Sequence, residues 1–214
     1  MSELTAKFVR KALVCGRIWD LGNEVLYKLC ADHPDHTADN VIVAKTWLIG
    51  RVYAAALERR RVIGNFAGDA FYEQGVAPKI RESDIDLWLQ ELREEVGQDG
   101  QLAVKIHKKM TDLLSDITGL NKRSFASKYL HFHFPDKFFI YDSRADKSAK
   151  EIVKLGPRHK RHEKITDVDP QYATFVTRCE QLRGSIGVLI GREPNPRELD
   201  KVLLAWSREK PSRA

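Results

Sequence analysis

The stretch that decides the fold runs from Gly119 to Ala145 and reads GLNKRSFASKYLHFHFPDKFFIYDSRA. Gly119 can adopt the left-handed backbone conformation that ends one helix and begins a tight turn. Apolar side chains then recur at helical spacing, which predicts an amphipathic helix. Phe138 to Ile140 could form a short, isolated strand, and Asp142 or Ser143 can cap another helix. The stretch therefore predicts a hairpin between two helices, an apolar crossing and a further capped helix.

Helical periodicity dominates the rest of the chain. An apolar stripe from Leu102 to Ile117 predicts one long helix, and a run of small and apolar residues predicts another from about Thr37 to Arg61. Asn195 and Pro196 form a cap followed by a first-turn proline. Because no convincing pair of strands occurs, we predict an all-α fold. We expect one domain with two lobes, divided into an N-terminal helical lobe (1–98), a hairpin and aspartate segment (99–168) and C-terminal helices (169–214).

Composition narrows the class of protein. The 214 residues are 43% hydrophobic, which supports a substantial core, and no apolar run approaches the roughly 20 residues of a membrane span. The first residues lack the layout of a signal peptide. Cys15, Cys30 and Cys179 are odd in number and far apart, so we expect a reduced, cytoplasmic protein without a zinc cage or disulfide framework. The net charge of +6 favours nucleic acid as a partner, and no cofactor is expected.

The layout from Gly119 to Ala145 resembles the helix-hairpin-helix DNA glycosylases. In that family a hairpin grips the DNA backbone, and an aspartate caps the following helix beside the base pocket. More narrowly, the chain looks like the bacterial proteins described as having an 8-oxoguanine DNA glycosylase fold, some of which sit among anti-phage defence genes. The resemblance implies a helix-hairpin-helix element, duplex or base-modified DNA as the partner, and protein partners from a defence operon.

The hairpin is the predicted grip on the nucleic-acid backbone. Its backbone N–H groups and the positive end of the second helix would together form a site for a phosphate anion. The alternative is an ordinary turn between helices with a glycine cap. A second basic cluster lies downstream, between Arg158 and Lys164, and is predicted to contact the nucleic-acid backbone. The alternative is that this cluster is a solvated loop. The predicted nucleic-acid-binding residues are Gly119, Asn121, Lys122, Arg123, Ser124, Arg144, Arg158, Lys160 and Arg161.

Asp142 is the first predicted catalytic residue. The resemblance implies that this aspartate helps to expel the base, either by stabilising a cationic sugar or by positioning a nucleophile. The alternative is that Asp142 only caps the helix that follows, which would contribute about 1 kcal/mol. Because both roles can hold together, the presence of an aspartate does not decide between them.

The chain departs from the family at the nucleophile. Bifunctional members place a lysine at the start of the second helix, where its amine attacks the sugar carbon and forms a Schiff base. Here Asn121 stands where the second hairpin glycine would be. When the alanine of the family's second helix is aligned with Ala126, Ser124 takes the position of the lysine. When Asp142 is aligned with the family's aspartate and residues are counted back without a gap, Arg123 takes that position. Neither residue carries a nucleophilic amine.

Two lysines could supply the missing amine. Lys122 precedes the predicted helix and would need a shift of the hairpin. Lys128 lies four residues after Ser124 on the same helix face. Because helical side chains lean toward the N-terminus, Lys128 can deliver its amine to the vacated position. The alternative is a surface or salt-bridged lysine.

Two classes of function follow from these residues. The first is an N-glycosylase or lyase that excises a modified purine from DNA or from a free nucleotide. The second is a catalytically inactive DNA- or nucleotide-binding accessory protein with the same fold. Among the remaining candidates, His131 and His133 favour a structural or DNA-facing role over a metal site. Phe66, Phe71 and Tyr72 are expected to anchor a loop in the core, and the alternative is stacking on an extruded base.

Overall fold

Ten α-helices form in the part of the chain that the computed structural model describes, residues 4–63, 66–95, 100–156 and 167–209. The helices are α1 (Ala6–Val14), α2 (Asp20–Asp32), α3 (Asp39–Val52), α4 (Ala77–Arg81), α5 (Ile85–Glu94), α6 (Gln101–Thr118), α7 (Arg123–His133), α8 (Ser143–Ile152), α9 (Pro170–Ile190) and α10 (Pro196–Glu209). These residues contain no strand, so the all-α prediction is confirmed. No described helix is both long and apolar enough to cross a membrane.

A four-residue turn that begins with Gly119 joins α6 to α7. Gly119 has a φ of +72°, and its N–H donates to the Ser115 carbonyl at 2.7 Å, which ends α6. The loop from Val62 packs on this turn, because the Val62 N–H donates to the Thr118 carbonyl at 2.9 Å. A Cβ added to Gly119 would lie only 2.3 Å from Val62 Cγ2. Glycine is therefore required both by the backbone angle and by the neighbouring loop.

The long helix predicted up to Arg61 is wrong beyond Val52, where α3 ends. The chain turns at Ala54, which has a φ of +50°, and then doubles back over the end of α3. At Gly50 an added Cβ would lie 3.1 Å from the Ala56 Cα, so this glycine lets the returning chain approach closely. Tertiary packing has thus overridden the helix propensity of the alanines in this segment.

The core consists of two hydrophobic clusters. Buried side chains of α2 to α7 form the first, and those of α1, α8, α9 and α10 form most of the second. Helix α1 therefore packs with the C-terminal helices, although it lies within the segment 1–98. Phe138 belongs to the first cluster and Phe139 to the second. The crossing from α7 to α8 consequently passes from one cluster to the other.

The predicted caps at α8 and α10 are confirmed. Asp142 Oδ1 accepts hydrogen bonds from the N–H groups of Arg144 and Ala145, both at 2.8 Å. At α10, Asn195 Oδ1 accepts from the Glu198 N–H at 2.8 Å, and Glu198 Oε2 accepts in return from the Asn195 N–H at 3.0 Å. These reciprocal bonds form a capping box. The start of α8, and with it the position of Asp142, is well defined.

Candidate functional site

The Lys128 amine lies inside the protein, between the first turn of α7 and the residue that precedes Asp142. Only 2% of Lys128 is exposed. Its Nζ donates to Ser124 Oγ at 2.6 Å and to the Tyr141 carbonyl at 3.2 Å. The expectation that Lys128 returns its amine to the position of Ser124 is therefore confirmed. The alternative of a surface lysine is wrong.

The surroundings of Lys128 lower the pKa of its amine. Burial lowers the pKa of Lys128, because the charged form loses its hydration. The negative charges of Asp142 and Asp200 oppose this shift, while Arg144 adds to it, and the net direction is downward. An amine must be deprotonated to act as a nucleophile. The site therefore combines a shielded amine with a nearby carboxylate.

Helix α7 holds the backbone that leads into Asp142. The Tyr141 N–H donates to Ser127 Oγ at 3.0 Å, while the Tyr141 carbonyl accepts from Lys128. Both backbone groups of one residue are thus bound by consecutive side chains of α7. Because Asp142 follows directly and caps α8, its carboxylate has a fixed orientation relative to α7. Of the three predicted catalytic residues, Lys128 and Asp142 interact electrostatically at the junction of α7 and α8, whereas Lys122 lies at the start of α7.

Asp200 on α10 is a third charged residue near this junction, and sequence reasoning missed it. Asp200 is buried and accepts an ion pair from Arg197 at 2.7 Å, while its Oδ1 has no hydrogen-bond partner in the described residues. Burial raises the pKa of Asp200 to about 6, although Arg197 opposes the shift. The spacing of Arg197 and Asp200 was the available signal, but such pairs are common on solvent-exposed helix faces.

An open pocket of about 320 Å³ lies beside the first turn of α7. It separates the turn after α6 from the chain that doubles back after α3. Lys122 lines it, and the Lys122 Nζ donates to the Arg59 carbonyl at 2.8 Å. Sequence reasoning missed this wall because it extended α3 to Arg61. The lining residues are Ala54, Ala55, Ala56, Arg59, Arg60, Asn121, Lys122, Ser124 and Phe125.

Arg123, a predicted phosphate contact, is engaged within the protein. Its guanidinium meets the buried Asp169 carboxylate through two contacts of 2.8 Å. Burial alone would raise the pKa of Asp169, but the bonds from Arg123 and the Tyr172 N–H outweigh it and the pKa is lowered. Asn121 Oδ1 accepts from the Arg123 N–H at 3.1 Å, which makes Asn121 part of the turn. Arg123 therefore ties the hairpin to the start of α9.

The other predicted nucleic-acid contacts have separate outcomes. Arg144 follows Asp142 and is exposed, so its guanidinium is accessible from solvent. The second basic cluster, with Arg158, Lys160 and Arg161, lies outside the described residues. Lys122 and Ser124 both line the pocket beside α7. The structure thus brings three of the predicted contacts, Asn121, Lys122 and Ser124, to one cavity and leaves Arg144 on the surface.

The two histidines of α7 pack inside the protein. His131 Nδ1 lies 2.8 Å from the Phe138 carbonyl, and its Nε2 lies 2.6 Å from the Tyr27 hydroxyl. These contacts fit a neutral ring that donates through Nδ1 and accepts through Nε2. The His133 ring packs against that of Tyr129, with the centroids 5.2 Å apart. Both histidines hold α7 in the core, as the structural interpretation expected.

The three aromatic residues that follow the segment after α3 differ in burial. Phe71 and Tyr72 are buried in the first hydrophobic cluster, so they anchor the segment in the core as expected. Phe66 is about one third exposed. The Phe71 ring also carries the Arg61 guanidinium 4.4 Å from its centroid. Phe71 thus connects the core to the segment that carries Arg61.

The site thus consists of a buried amine and a basic pocket at the first turn of α7, and a capping carboxylate at the start of α8. Ser124 joins the amine to the pocket, because its hydroxyl accepts from Lys128 while its side of the helix lines the pocket. Comparison of the chain with known protein families, with curated proteins and with solved structures gave no match.

Proposed function

We propose that this protein is a glycosylase-like enzyme that excises a modified purine from nucleic acid, with Lys128 as its amine and Asp142 as its carboxylate. In this proposal α6, the turn at Gly119 and α7 are a helix-hairpin-helix element, which lies between two lobes. The predicted partners are DNA with a modified base and proteins of a bacterial anti-phage defence system.

One observation carries the proposal. The Lys128 amine lies 2.6 Å from Ser124 Oγ, at the helix start where the bifunctional glycosylases that the chain resembles place a lysine. A lysine one turn further along α7 thus brings its amine to the position where this chain has Ser124 in place of the family's lysine. The same amine contacts the carbonyl of Tyr141, which directly precedes Asp142. This coincidence of an amine and a carboxylate is what the proposed chemistry needs.

The proposed reaction uses both residues. The deprotonated Lys128 amine forms a bond to the sugar carbon, the bond from that carbon to the base breaks, and the base leaves with the bonding electrons and takes up a proton from solvent. Asp142 stabilises the positive charge that develops on the sugar. The nitrogen then gives one proton to the ring oxygen as the bond from that oxygen to the sugar carbon breaks, and the resulting protonated Schiff base is reduced by borohydride to a stable amine. Movement of the Ser124 side chain would open the path from the pocket to Lys128.

The test is a panel of DNA duplexes, each with one modified purine, assayed for released base and for a covalent adduct after borohydride reduction. The matched unmodified duplex is the control. We expect at least one modified duplex to give both products. Free base without an adduct would replace the Lys128 step by water attack and leave Asp142 as the key residue. Absence of both products on every duplex would contradict the enzyme proposal.

A second candidate function is a binding protein that keeps the fold without the chemistry. The favouring observation is that Lys128 is almost completely buried and already has two hydrogen-bond acceptors. In this role Lys128 would only link α7 to the crossing. DNA binding without adduct or released base would select this candidate.

A further inference from the structure

The pocket beside α7 concentrates positive charge. Arg59 and Arg60 come from the chain that doubles back after α3, and Lys122 comes from the turn before α7. The Lys122 amine donates to the Arg59 carbonyl, which holds one cation against the opposite wall. No aspartate or glutamate is among the lining residues. Three like charges around one open cavity repel each other unless an anion enters.

The Glu58 carboxylate, which precedes Arg59 in the chain, has its partners outside the residues that line this cavity. Glu58 pairs with Arg51 at 2.7 Å and accepts a short hydrogen bond from the Tyr72 hydroxyl. Within the described part of the chain, neither Arg59 nor Arg60 forms an ion pair with a side chain. Their guanidinium groups are therefore available for a ligand that approaches from solvent.

The backbone and the helix add to this arrangement. Arg60 has a φ of +57°, an uncommon angle for a residue with a side chain. The first turn of α7 forms another part of the wall, and the N-terminus of a helix carries a partial positive charge. Burial lowers the pKa of Lys122, and its neighbour Arg59 adds to the shift while Glu58 opposes it. A bound anion would favour the charged amine.

We propose that this pocket binds the terminal phosphate monoester of a nucleotide or of an oligonucleotide, through Arg59, Arg60 and Lys122. A monoester carries up to two negative charges near neutral pH, whereas each internal phosphodiester carries one. The three cations match the monoester better. The proposal rests on the proposed function for its biological role, since it places the phosphorylated end of the substrate beside Ser124 and Lys128. Anion binding itself can be measured without any base release.

The test compares two short thymidine oligonucleotides that differ only at the 5′ end, one with a phosphate and one with a hydroxyl. Each carries a fluorophore at its 3′ end, and binding is followed by anisotropy. We expect the phosphate to increase affinity about tenfold or more, since charge-assisted hydrogen bonds are the strong ones. Inorganic phosphate should compete with the phosphorylated probe. Affinity should also rise from about pH 5 to pH 7.5, as the second phosphate proton dissociates near pH 6.

Variants of the pocket make the assignment specific. Arg60→Ala should remove most of the gain from the 5′ phosphate, and Arg60→Gly, which suits the positive φ, should do the same in a fully folded protein. Arg208→Ala is the matched control, because Arg208 is an exposed arginine at the end of α10. The control should keep the gain. Melting temperatures establish that each variant is folded.

Three results would overturn the proposal. The first is equal affinity for the two probes, and the second is a gain that survives Arg60→Gly. The third is tight binding of the hydroxyl probe that depends on Arg60, because it would assign the pocket to an internal phosphodiester. Failure of the proposed function has a different signature, since the 5′ phosphate gain would remain while no duplex released a base. The two proposals can therefore fail separately.

Discussion

The starts of α7 and α8 face the same physical problem and meet it differently. The first N–H groups of any helix lack partners within the helix. At α8, the Asp142 carboxylate accepts hydrogen bonds from two of these N–H groups, so the residue at the helix start caps the helix. At α7 the capping residue, Lys122, offers no acceptor, and Asn121 accepts only from the Arg123 N–H. The start of α8 therefore has a side-chain cap, whereas the start of α7 has no cap from Lys122 and lies beside a basic pocket.

Lys128 connects these two helix starts. Its amine donates to Ser124 in the first turn of α7 and to Tyr141 just before α8. Helix α8 thus starts at a fixed carboxylate, and α7 starts at an open, positively charged pocket. The Lys128 amine lies between the two helix starts.

Lys128→Met should abolish the trapped adduct. Methionine approximates the lysine stem and removes the amine, so no Schiff base can form. We expect the free energy of unfolding to change by less than about 2 kcal/mol, because loss of the hydrogen bonds is offset by removal of a polar amine that is costly to bury. Borohydride trapping and urea unfolding measure the two effects, and Lys105→Met on the surface of α6 is the control. An adduct that survives would exclude Lys128 as the nucleophile.

Asp142→Asn should separate the carboxylate from the cap at the start of α8. Asparagine caps helices about as well as aspartate, so the melting temperature should remain near that of the wild type. Base release should fall about 100-fold or more, since the charge that stabilises the cationic sugar is gone. Asp142→Ala should in addition lose about 1 kcal/mol of stability. Full activity of Asp142→Asn would reduce this residue to a structural cap.

The two basic residues at the start of α7 should respond differently to alanine. Arg123→Ala should cost about 2 kcal/mol of stability, because it leaves the buried Asp169 carboxylate unpaired. Lys122→Ala should change stability little and weaken DNA binding alike for all sequences, with a salt dependence reduced by about one phosphate contact. Urea unfolding and binding at several salt concentrations measure these effects. Equal effects of the two variants on stability and on DNA binding would contradict a structural role for Arg123 and a DNA-binding role for Lys122.

The pH dependence of Arg123→Ala has a defined sign. The pKa of Asp169 is below its ordinary value of 3.8 in the folded protein, so the pair stabilises the fold above that pH. This contribution is lost as the pH falls through the folded pKa and the carboxylate becomes protonated. The stability difference between wild type and Arg123→Ala should therefore be full at neutral pH and shrink in acid. A difference that grows in acid would contradict the assigned ion pair.

A smaller effect is expected from His131, which anchors the crossing between the two helix starts. Burial lowers its pKa from 6.5 to about 4, although the Phe138 carbonyl opposes the shift. A lowered histidine pKa gives stability that is present above pH 6.5 and is lost as the pH falls toward 4. His131→Gln should flatten the decline of stability across this window. His33→Gln is the matched control, because His33 is an exposed histidine.

Local features were predictable where short-range chemistry determines them. The caps of α8 and α10, the helix end at Gly119 and the return of Lys128 to Ser124 all depend on residues close in the chain. The early end of α3 was not predictable, because the alanines there favour a helix and only the packing over Gly50 breaks it. The basic pocket was missed with it. Asp200 was missed since its burial depends on helices distant in sequence.

The most direct test of the account is to identify which lysine carries the reduced adduct. The trapped complex with the most reactive modified duplex would be digested, and the modified peptide sequenced by mass spectrometry. The account predicts a sugar remnant on Lys128, although Lys122 is more exposed and lies only two residues before Ser124 in the chain. A remnant on Lys122, with Lys128 unmodified, would contradict the claim that the amine at the start of α7 comes from Lys128.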